Sequence, residues 1–248
     1  MKPLGHTLIR LEEVASTNTL VLERPDWLAD HGLVVLARHQ TAGRGRLGRT
    51  FASLPGRQLL FSVVVHPRLR TEEVPVCSLV AGLAVAEALE VRLGLRPRLK
   101  WPNDVLLGGR KVCGILVEMR ADEAGRPRLV IGIGINCQGD PADFPSDLAG
   151  VVTTLERETG APVDSEGLLA EVLAALGRHL LRLEGGHKAA VLADWERRAR
   201  LAGRRVRFAT NQRTLEGVAL GLTPEGFLRI ATADGARHTH VSGDLEWL

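Results

Sequence analysis

The residues of this chain best suited to chemistry are three arginines packed with three glycines into residues 43–49, GRGRLGR, within the stretch QTAGRGRLGRTF from Gln40 to Phe51. Glycine gives up more backbone freedom on folding than any other residue, so a loop this rich in it is costly to order. It suits a backbone that must approach a ligand closely or close over it. Planar guanidinium forks carried on such a loop match the oxygens of phosphates and carboxylates. The chemistry indicated is the handling of anions under a loop that moves.

The same loop admits three other readings. Gly43-Arg44-Gly45-Arg46-Leu47-Gly48 formally satisfies the G-x-G-x-x-G pattern of dinucleotide folds. That pattern needs a strand-to-helix turn and then an acidic residue closing the next strand. Here the next apolar run ends in His66-Pro67-Arg68 with no helical segment between, so this reading is set aside. A phosphate loop of the G-x-x-x-x-G-K-[ST] type does not occur. An Arg/Gly module for nucleic acid would repeat its Arg-Gly units among aromatics, whereas this chain has one cluster and only 4% aromatic residues.

Lysine is scarce, at four positions (Lys2, Lys100, Lys111, Lys188), so each asks for a reason. Lys100 opens Lys100-Trp101-Pro102-Asn103-Asp104, where Pro102 stops regular structure and sets Asn103 and Asp104 on a stiff turn. Lys111 opens KVCGILVEM (Lys111–Met119), a mostly apolar strand entered through a Gly108-Gly109 hairpin turn. Gly114 is anomalous there, because glycine inside a strand marks a bulge or a close approach. The partner strand is RLVIGIGIN (Arg128–Asn136), with Gly132 and Gly134 alternating onto one face. Facing glycines on two paired strands would leave a floor with little side chain, hence a slot.

The elements that must position these groups read in order. Thr7–Leu11 is a strand, and Ser16-Thr17-Asn18 carries helix-capping chemistry. Leu33–Ala37 and Leu59–Val65 are apolar strands flanking the Gly/Arg loop. Glu72–Leu93 repeats apolar residues at helical spacing and should be the main packing helix. An Asp- and Pro-rich loop (Gly139–Leu148) precedes helices at Ser165–Leu183, capped by Asp164 or Ser165, and at Lys188–Arg200. After Gly203, the segments RRVRFAT, TLEGVALGL, GFLRIAT and RHTHVSG read as a small barrel-forming meander.

At 248 residues the chain holds one large domain and a small one, and its 45% hydrophobic and 25% charged content is that of a globular protein. A net charge of only +3 argues against a general nucleic-acid binder. Three separated cysteines (Cys77, Cys113, Cys137) with no C-x-x-C speak against a disulfide framework and structural zinc. No apolar run reaches transmembrane length, and a cytoplasmic location is expected.

Taken together, Ser16–Asn18, Gln40–Arg49, Lys100–Asp104, Lys111–Glu118 and Gly132–Asn136 resemble, in order and spacing, the motifs of the short biotin protein ligases. The resemblance covers nearly the whole chain. It implies an α+β fold: a mixed central sheet with packed helices over residues 1–202, then an SH3-like β-barrel over 203–248. It implies ATP-dependent conversion of biotin to biotinyl-5′-AMP, assisted by Mg²⁺, and transfer of biotin to one lysine of a carboxylase's biotin carboxyl carrier domain. Biotin would meet Ser16, Thr17, Asn18, Gln40, Gly43, Arg44, Gly45, Arg46 and Lys111, with Gly114 and Gly132 leaving it room. The capping reading of Ser16–Asn18 thus gives way to a pocket role. ATP would meet Arg46, Arg49, Phe51, Lys100, Trp101, Asn103, Lys111 and Asn136. Lys111, Arg44, Arg46 and Asp104 would carry the chemistry, and no metal ligands are assigned. Met119, Cys113 and Cys137 are read as packing residues. Phe51 stands where the family commonly has Trp, which keeps an aromatic group but removes the indole donor.

Longer relatives carry an N-terminal operator-binding winged helix, for which residues 1–6 leave no room, so no repressor function and no DNA partner are expected. An exposed edge strand could support a homodimer. The rival within the same fold is a lipoate or octanoate ligase or transferase. Those using lipoate tend to carry a double Arg followed by a Gly triplet and a His, a run not found here. The rival of another class remains the Arg/Gly nucleic-acid module.

Overall fold

The structure is a computed structural model that describes residues 2–210 and 213–248. The chain runs through β1 (Thr7–Val14), α1 (Thr17–Leu22), α2 (Pro25–Leu28), β2 (Leu33–Gln40) and β3 (Gln58–Val65) into the long helix α3 (Val76–Leu93). Then come β4 (Arg98–Lys100), β5 (Asp104–Leu107), β6 (Arg110–Ala121) and β7 (Pro127–Asn136). Short helices α4 (Ser146–Ala149) and α5 (Leu155–Thr159) lead to α6 (Ser165–Glu184) and α7 (Lys188–Ala199). A second unit follows: β8 (Arg205–Ala209), β9 (Thr214–Leu222), β10 (Leu228–Ala231), β11 (Arg237–His240) and β12 (Asp244–Trp247).

The first seven strands form one mixed sheet in the order β1-β2-β3-β7-β6-β5-β4, parallel only between β1 and β2. All eight residues of β3 are buried, so this strand is covered on both faces and its apolar run need not alternate. One face carries Leu59, Phe61, Val63 and, from β7, Leu129, Ile131, Ile133 and Ile135, packed against α3 and α6. Alpha-3 buries twelve of its residues around most of its circumference, as a helix inside a core must. The other face is covered at one end by α1 and α2 through Val21, Leu28, Val35, Val64 and Val130. The remainder of that face carries the cavity described below.

The expected packing helix begins later than its apolar spacing predicts. Thr71–Glu73 is a separate 3₁₀ turn and α3 starts only at Val76, because Pro75 lacks the N–H that would continue the hydrogen-bond ladder from that turn. Asp104, expected on a turn, is the first residue of β5; the turn itself ends at Asn103. The helix at Ser165 is capped by Asp164, whose carboxylate accepts from the Gly167 amide at 3.0 Å.

The second unit is an antiparallel five-stranded sheet in the order β11-β10-β9-β8-β12, SH3-like as expected, with a fifth strand, β12, that the segment pattern did not separate. Trp101 joins the two sheets. Its side chain is 2% exposed, its indole N–H donates to the Gly226 carbonyl at 3.2 Å, and its ring lies 6.1 Å from that of Phe208. No helix among the described residues is long and apolar enough to cross a membrane.

Candidate active site

Three strands build the floor of a cavity of about 480 Å³. Across β3, β7 and β6 the paired rows read Leu60–Gly134–Gly114 and Ser62–Gly132–Leu116, followed by Val64–Val130–Glu118. Gly114 stands directly opposite Gly134, so the facing glycines expected from the pattern are present. The space above them is used by the chain's own side chains. A Cβ on Gly114 would lie 3.0 Å from Lys111 Nζ and 3.1 Å from Phe51 Cε2, and one on Gly134 would lie 2.5 Å from Phe51 Cζ. One on Gly132 would overlap the Asn18 amide. Gly114 and Gly132, expected to leave room for a ligand, line the cavity, and their lack of a Cβ also admits Lys111, Phe51 and Asn18.

One end of the cavity is neutral and polar. Ser16 caps α1, its hydroxyl accepting from the Thr19 amide, which turns Thr17 and Asn18 inward, both 3% exposed. Gln40, at the end of β2, accepts from Thr17 N at 2.7 Å and from its hydroxyl at 3.1 Å, which assigns Oε1 to Thr17 and makes Nε2 the donor end of this cavity-lining amide. The buried Ser62 hydroxyl has one proton for two neighbours, Asn18 Oδ1 at 2.5 Å and Thr17 Oγ1 at 2.7 Å. Asn18 Nδ2 donates to Leu116 O at 3.2 Å and to Glu118 Oε2 at 3.0 Å, so both its protons are used.

The other end is charged. Lys111 is held through its backbone, its N–H donating to Val151 O at 2.8 Å and its carbonyl accepting from Thr153 N at 2.9 Å. Its Nζ stands 2.7 Å from the buried Asp104 Oδ1, which accepts no hydrogen bond of good geometry. Asn103 is clamped to β6, donating from Nδ2 to Ile115 O at 2.8 Å. Burial holds the Arg46 guanidinium below its ordinary pKa, partly offset by Asp244 and Asp104; it reaches Asn103 Oδ1 and Gly243 O, each at 3.4 Å. Lys100 also lines this end.

The Gly/Arg loop crosses between the two ends as a narrow ladder: Gly45 N donates to Arg49 O at 2.7 Å and Phe51 N to Gly43 O at 2.9 Å. A Cβ on Gly43 would lie 2.5 Å from the Phe51 carbonyl oxygen, which explains glycine at the base of the ladder. Its arginines separate. Arg44 turns to Glu118 (2.9 Å) and Thr19 (3.2 Å), Arg46 to Asn103, and Arg49 to Asp244 of the second unit. Carboxylates of the chain itself therefore already partner two of the three cations.

The cavity brings together Ser16, Thr17, Asn18, Gln40, Arg44, Gly45, Arg46, Arg49, Phe51, Lys100, Asn103, Asp104, Lys111, Gly114 and Gly132. Three expected residues stand elsewhere. Gly43, at the base of the loop's ladder, is buried and does not line the cavity. Asn136 lines a small adjoining recess with Phe51, Lys111 and Phe144, its amide accepting from Gln58 Nε2 (2.9 Å) and donating to Thr153 O (3.1 Å). Trp101, expected to meet ATP, does not line the cavity: its indole is buried against Phe208 and Gly226 and pins the two sheets together. Met119, read as packing, is 39% exposed near the end of β6. Cys113 and Cys137 are buried, and burial pushes the Cys137 thiol up to about 11. Sequence reasoning passed over Ser62, Glu118, Asp244 and Trp247. Ser62 had a signal, a lone hydroxyl in the apolar run LLFSVVV; Asp244 and Trp247 had none, since only folding carries the second unit to the cavity.

Comparison with known proteins agrees with this geometry. Residues 11–136 match the Biotin/lipoate A/B protein ligase family, and residues 202–246 match the Biotin protein ligase C terminal domain. The bifunctional ligase/repressor BirA of Bacillus subtilis is 33% identical over 98% of this chain and 74% of its own length. A biotin--[acetyl-CoA-carboxylase] ligase of Mycobacterium tuberculosis is 33% identical over 94% of this chain and 86% of its own. The structure superposes on a biotin protein ligase from Aquifex aeolicus in complex with biotin and ATP with a TM-score of 0.85, at 31% identity, covering 98% of this chain and 99% of that one. Motif order, the glycine-floored cavity and both domain matches lead to one assignment: the chain belongs to the biotin protein ligase family, as an enzyme.

Proposed function

We propose that the chain activates biotin with ATP to biotinyl-5′-AMP and passes the biotinyl group to a lysine of a carboxylase's biotin carboxyl carrier domain. The observation carrying this reading is the polarity of the slot, neutral donors and acceptors at one end and lysine and arginine at the other. At the neutral end Asn18 can only accept and Gln40 Nε2 can only donate. A cyclic urea, with N–H donors beside a carbonyl acceptor, answers both. The apolar dithiolane of lipoate would offer the Gln40 amide no acceptor and the Asn18 oxygen no second donor beyond Ser62, and a buried polar group left without its partner costs about 1–3 kcal/mol. This favours biotin over the lipoate rival that the family name also covers.

At the charged end the biotin carboxylate and the ATP α-phosphate must meet. Two unit anions about 4 Å apart repel by about 4 kcal/mol at an effective dielectric of about 20. Lys111, fixed by its backbone, supplies the cation between them, and the desolvated Arg46 supplies a second. A carboxylate oxygen attacks the α-phosphorus as the bond to the β-phosphate oxygen breaks, releasing pyrophosphate. The carrier lysine's neutral amine then attacks the anhydride carbonyl and AMP leaves. Asp104, relieved of Lys111 once the phosphate claims that ammonium, is the cavity carboxylate suited to take the amine's proton. Asn136 and Phe51, which share the adjoining recess, are assigned to the adenine side. Among the described residues no three His, Cys, Asp or Glu side chains cluster as a metal cage. Of the bifunctional relatives' two activities only ligation is carried over, since both matched domains are ligase domains.

The deciding assay is exchange of labelled pyrophosphate into ATP. Exchange that requires biotin, does not respond to lipoate and ignores added nucleic acid supports the reading. Exchange driven by lipoate, or none with biotin, refutes it.

A further inference from the structure

Glu118 takes no part in the reaction steps above, yet it joins the two sides of the neutral end. It stands on the cavity face of β6, in the row next to Leu116 and Gly132, on a rigid strand. Its Oε1 lies 2.9 Å from Arg44 Nη2, and its Oε2 accepts from Arg44 Nη1 at 3.3 Å and from Asn18 Nδ2 at 3.0 Å. Its side chain is 20% exposed, so the pair is partly shielded from water.

We propose that Glu118 is a positioning residue for biotin: its carboxylate holds Arg44 of the Gly/Arg loop across the neutral end and sets which way round the Asn18 amide points. The proposal rests on the slot being the biotin site. An asparagine amide can be turned by 180° at little intrinsic cost, and its orientation decides whether it offers the ligand an acceptor or donors. Two acceptors, Leu116 O and Glu118 Oε2, claim the Nδ2 protons and leave Oδ1 on the side of Ser62. Leu116 O alone accounts for one proton. The second, charge-assisted bond is the stronger of the two and makes the choice one-sided.

The same carboxylate meets three donors, which identifies the variant that breaks it. Glutamine must place an NH₂ at one of the two oxygen positions. At Oε1 it faces Arg44; at Oε2 it faces both Asn18 and Arg44. Either way a donor opposes a donor, with little change of volume. The tie also divides the loop's restraints. Arg44–Glu118 anchors its first half to the floor, while Arg49–Asp244 anchors its second half to the other sheet. Losing the first should expose the backbone after Arg44 without touching the nucleotide end.

The experiment compares the full chain with Glu118→Gln and Glu118→Asp in pyrophosphate exchange, thermal melting and ligand-free tryptic cleavage. For Glu118→Gln the KM for biotin should rise about tenfold or more while that for ATP stays within about twofold. Cleavage after Arg44 should speed up at least about threefold, with the melting point nearly unchanged. Glu118→Asp keeps the charge and should recover most of the biotin KM. An unchanged biotin KM overturns the proposal. So does a parallel rise in both KM values with a lower melting point, which would mark Glu118 as structural. Wild-type protein without biotin-dependent exchange would instead refute the biotin reading, and the ligand-free cleavage comparison would still decide whether Glu118 holds Arg44.

Discussion

A methyl group added at Gly132 or at Gly134 should have two different consequences, although the two residues share one strand and one face. At Gly132 the new carbon would stand 2.9 Å from Asn18 Cγ and 3.1 Å from Nδ2, with Oδ1 nearer still. Relaxed carbon contacts lie at about 3.5–4.0 Å, so the amide must retreat by roughly half an ångström or more. It is not free to do so, being bonded to Ser62, Leu116 O and Glu118. Losing one neutral bond and one to a charged partner predicts destabilisation by about 2–4 kcal/mol. For a chain of this size that is a fall in melting temperature on the order of 10 °C. At Gly134 the new carbon meets Phe51 Cζ at 2.5 Å and Cε1 at 2.7 Å. Phe51 rides on the loop, held by one ladder bond to Gly43, and its ring can swing clear. Gly134→Ala should therefore cost only about 1 kcal/mol, the low end for overpacking, while displacing the aromatic lid. Thermal melts of both variants, with pyrophosphate exchange at varied biotin and ATP, test this. Gly132→Ala should melt far lower and bind biotin poorly; Gly134→Ala should melt near wild type and lose ATP affinity. If Gly132→Ala melts within about 2 °C of wild type, or below it only as far as Gly134→Ala does, Asn18 is not locked as argued.

Three further outcomes are expected. Lys111→Ala should retain its circular dichroism yet lose biotin-dependent exchange by about two orders of magnitude or more, since a fixed cation at a developing anionic centre is worth about 3 kcal/mol; near-native exchange would remove Lys111 from its role. Trypsin should cut after Arg44, Arg46 and Arg49 more slowly with biotin and ATP bound, and Asp244→Asn should speed cleavage of the free protein by releasing Arg49; equal rates throughout would mean that residues 42–51 are no lid. Stability should fall in mild acid. Burial lowers the pKa of His31 and His66, and His31 Nδ1 must stay unprotonated to accept the His66 amide at 3.0 Å. Both shifts favour the neutral ring in the fold, so the contribution is full above the unfolded value of about 6.5 and is lost as the pH falls from there through the lowered folded values. Urea midpoints at pH 7.5 and about 5.5 should show the drop, and His31→Asn, which keeps an acceptor but cannot titrate, should reduce it.

Much of the site was legible before folding because its signals are local. The Gly/Arg loop, the Pro-stiffened turn before Asp104, Lys111 and the alternating glycines each announce a close approach or a charge within a few residues. Period-two alternation alone put Gly132 and Gly134 on one face. The main strands and the two longest helices follow from apolar periodicity, which is a property of the neighbouring chain. Register was not available from the sequence: that Gly114 faces Gly134, and Glu118 lies beside Val130, depends on hydrogen-bonded pairing between β6 and β7. Nor was the fate of the amphipathic groups. Trp101 sits among cavity residues in the sequence, yet its large apolar surface is buried between two sheets, where the indole N–H still finds a carbonyl. Arg44, Arg46 and Arg49 look equivalent in the loop, and only the fold assigns them Glu118, Asn103 and Asp244. Asp244 and Glu118 lie 126 positions apart along the chain. Local chemistry determined which residues matter; the long-range charges and contacts that decide where each one points exist only once the chain has closed on itself.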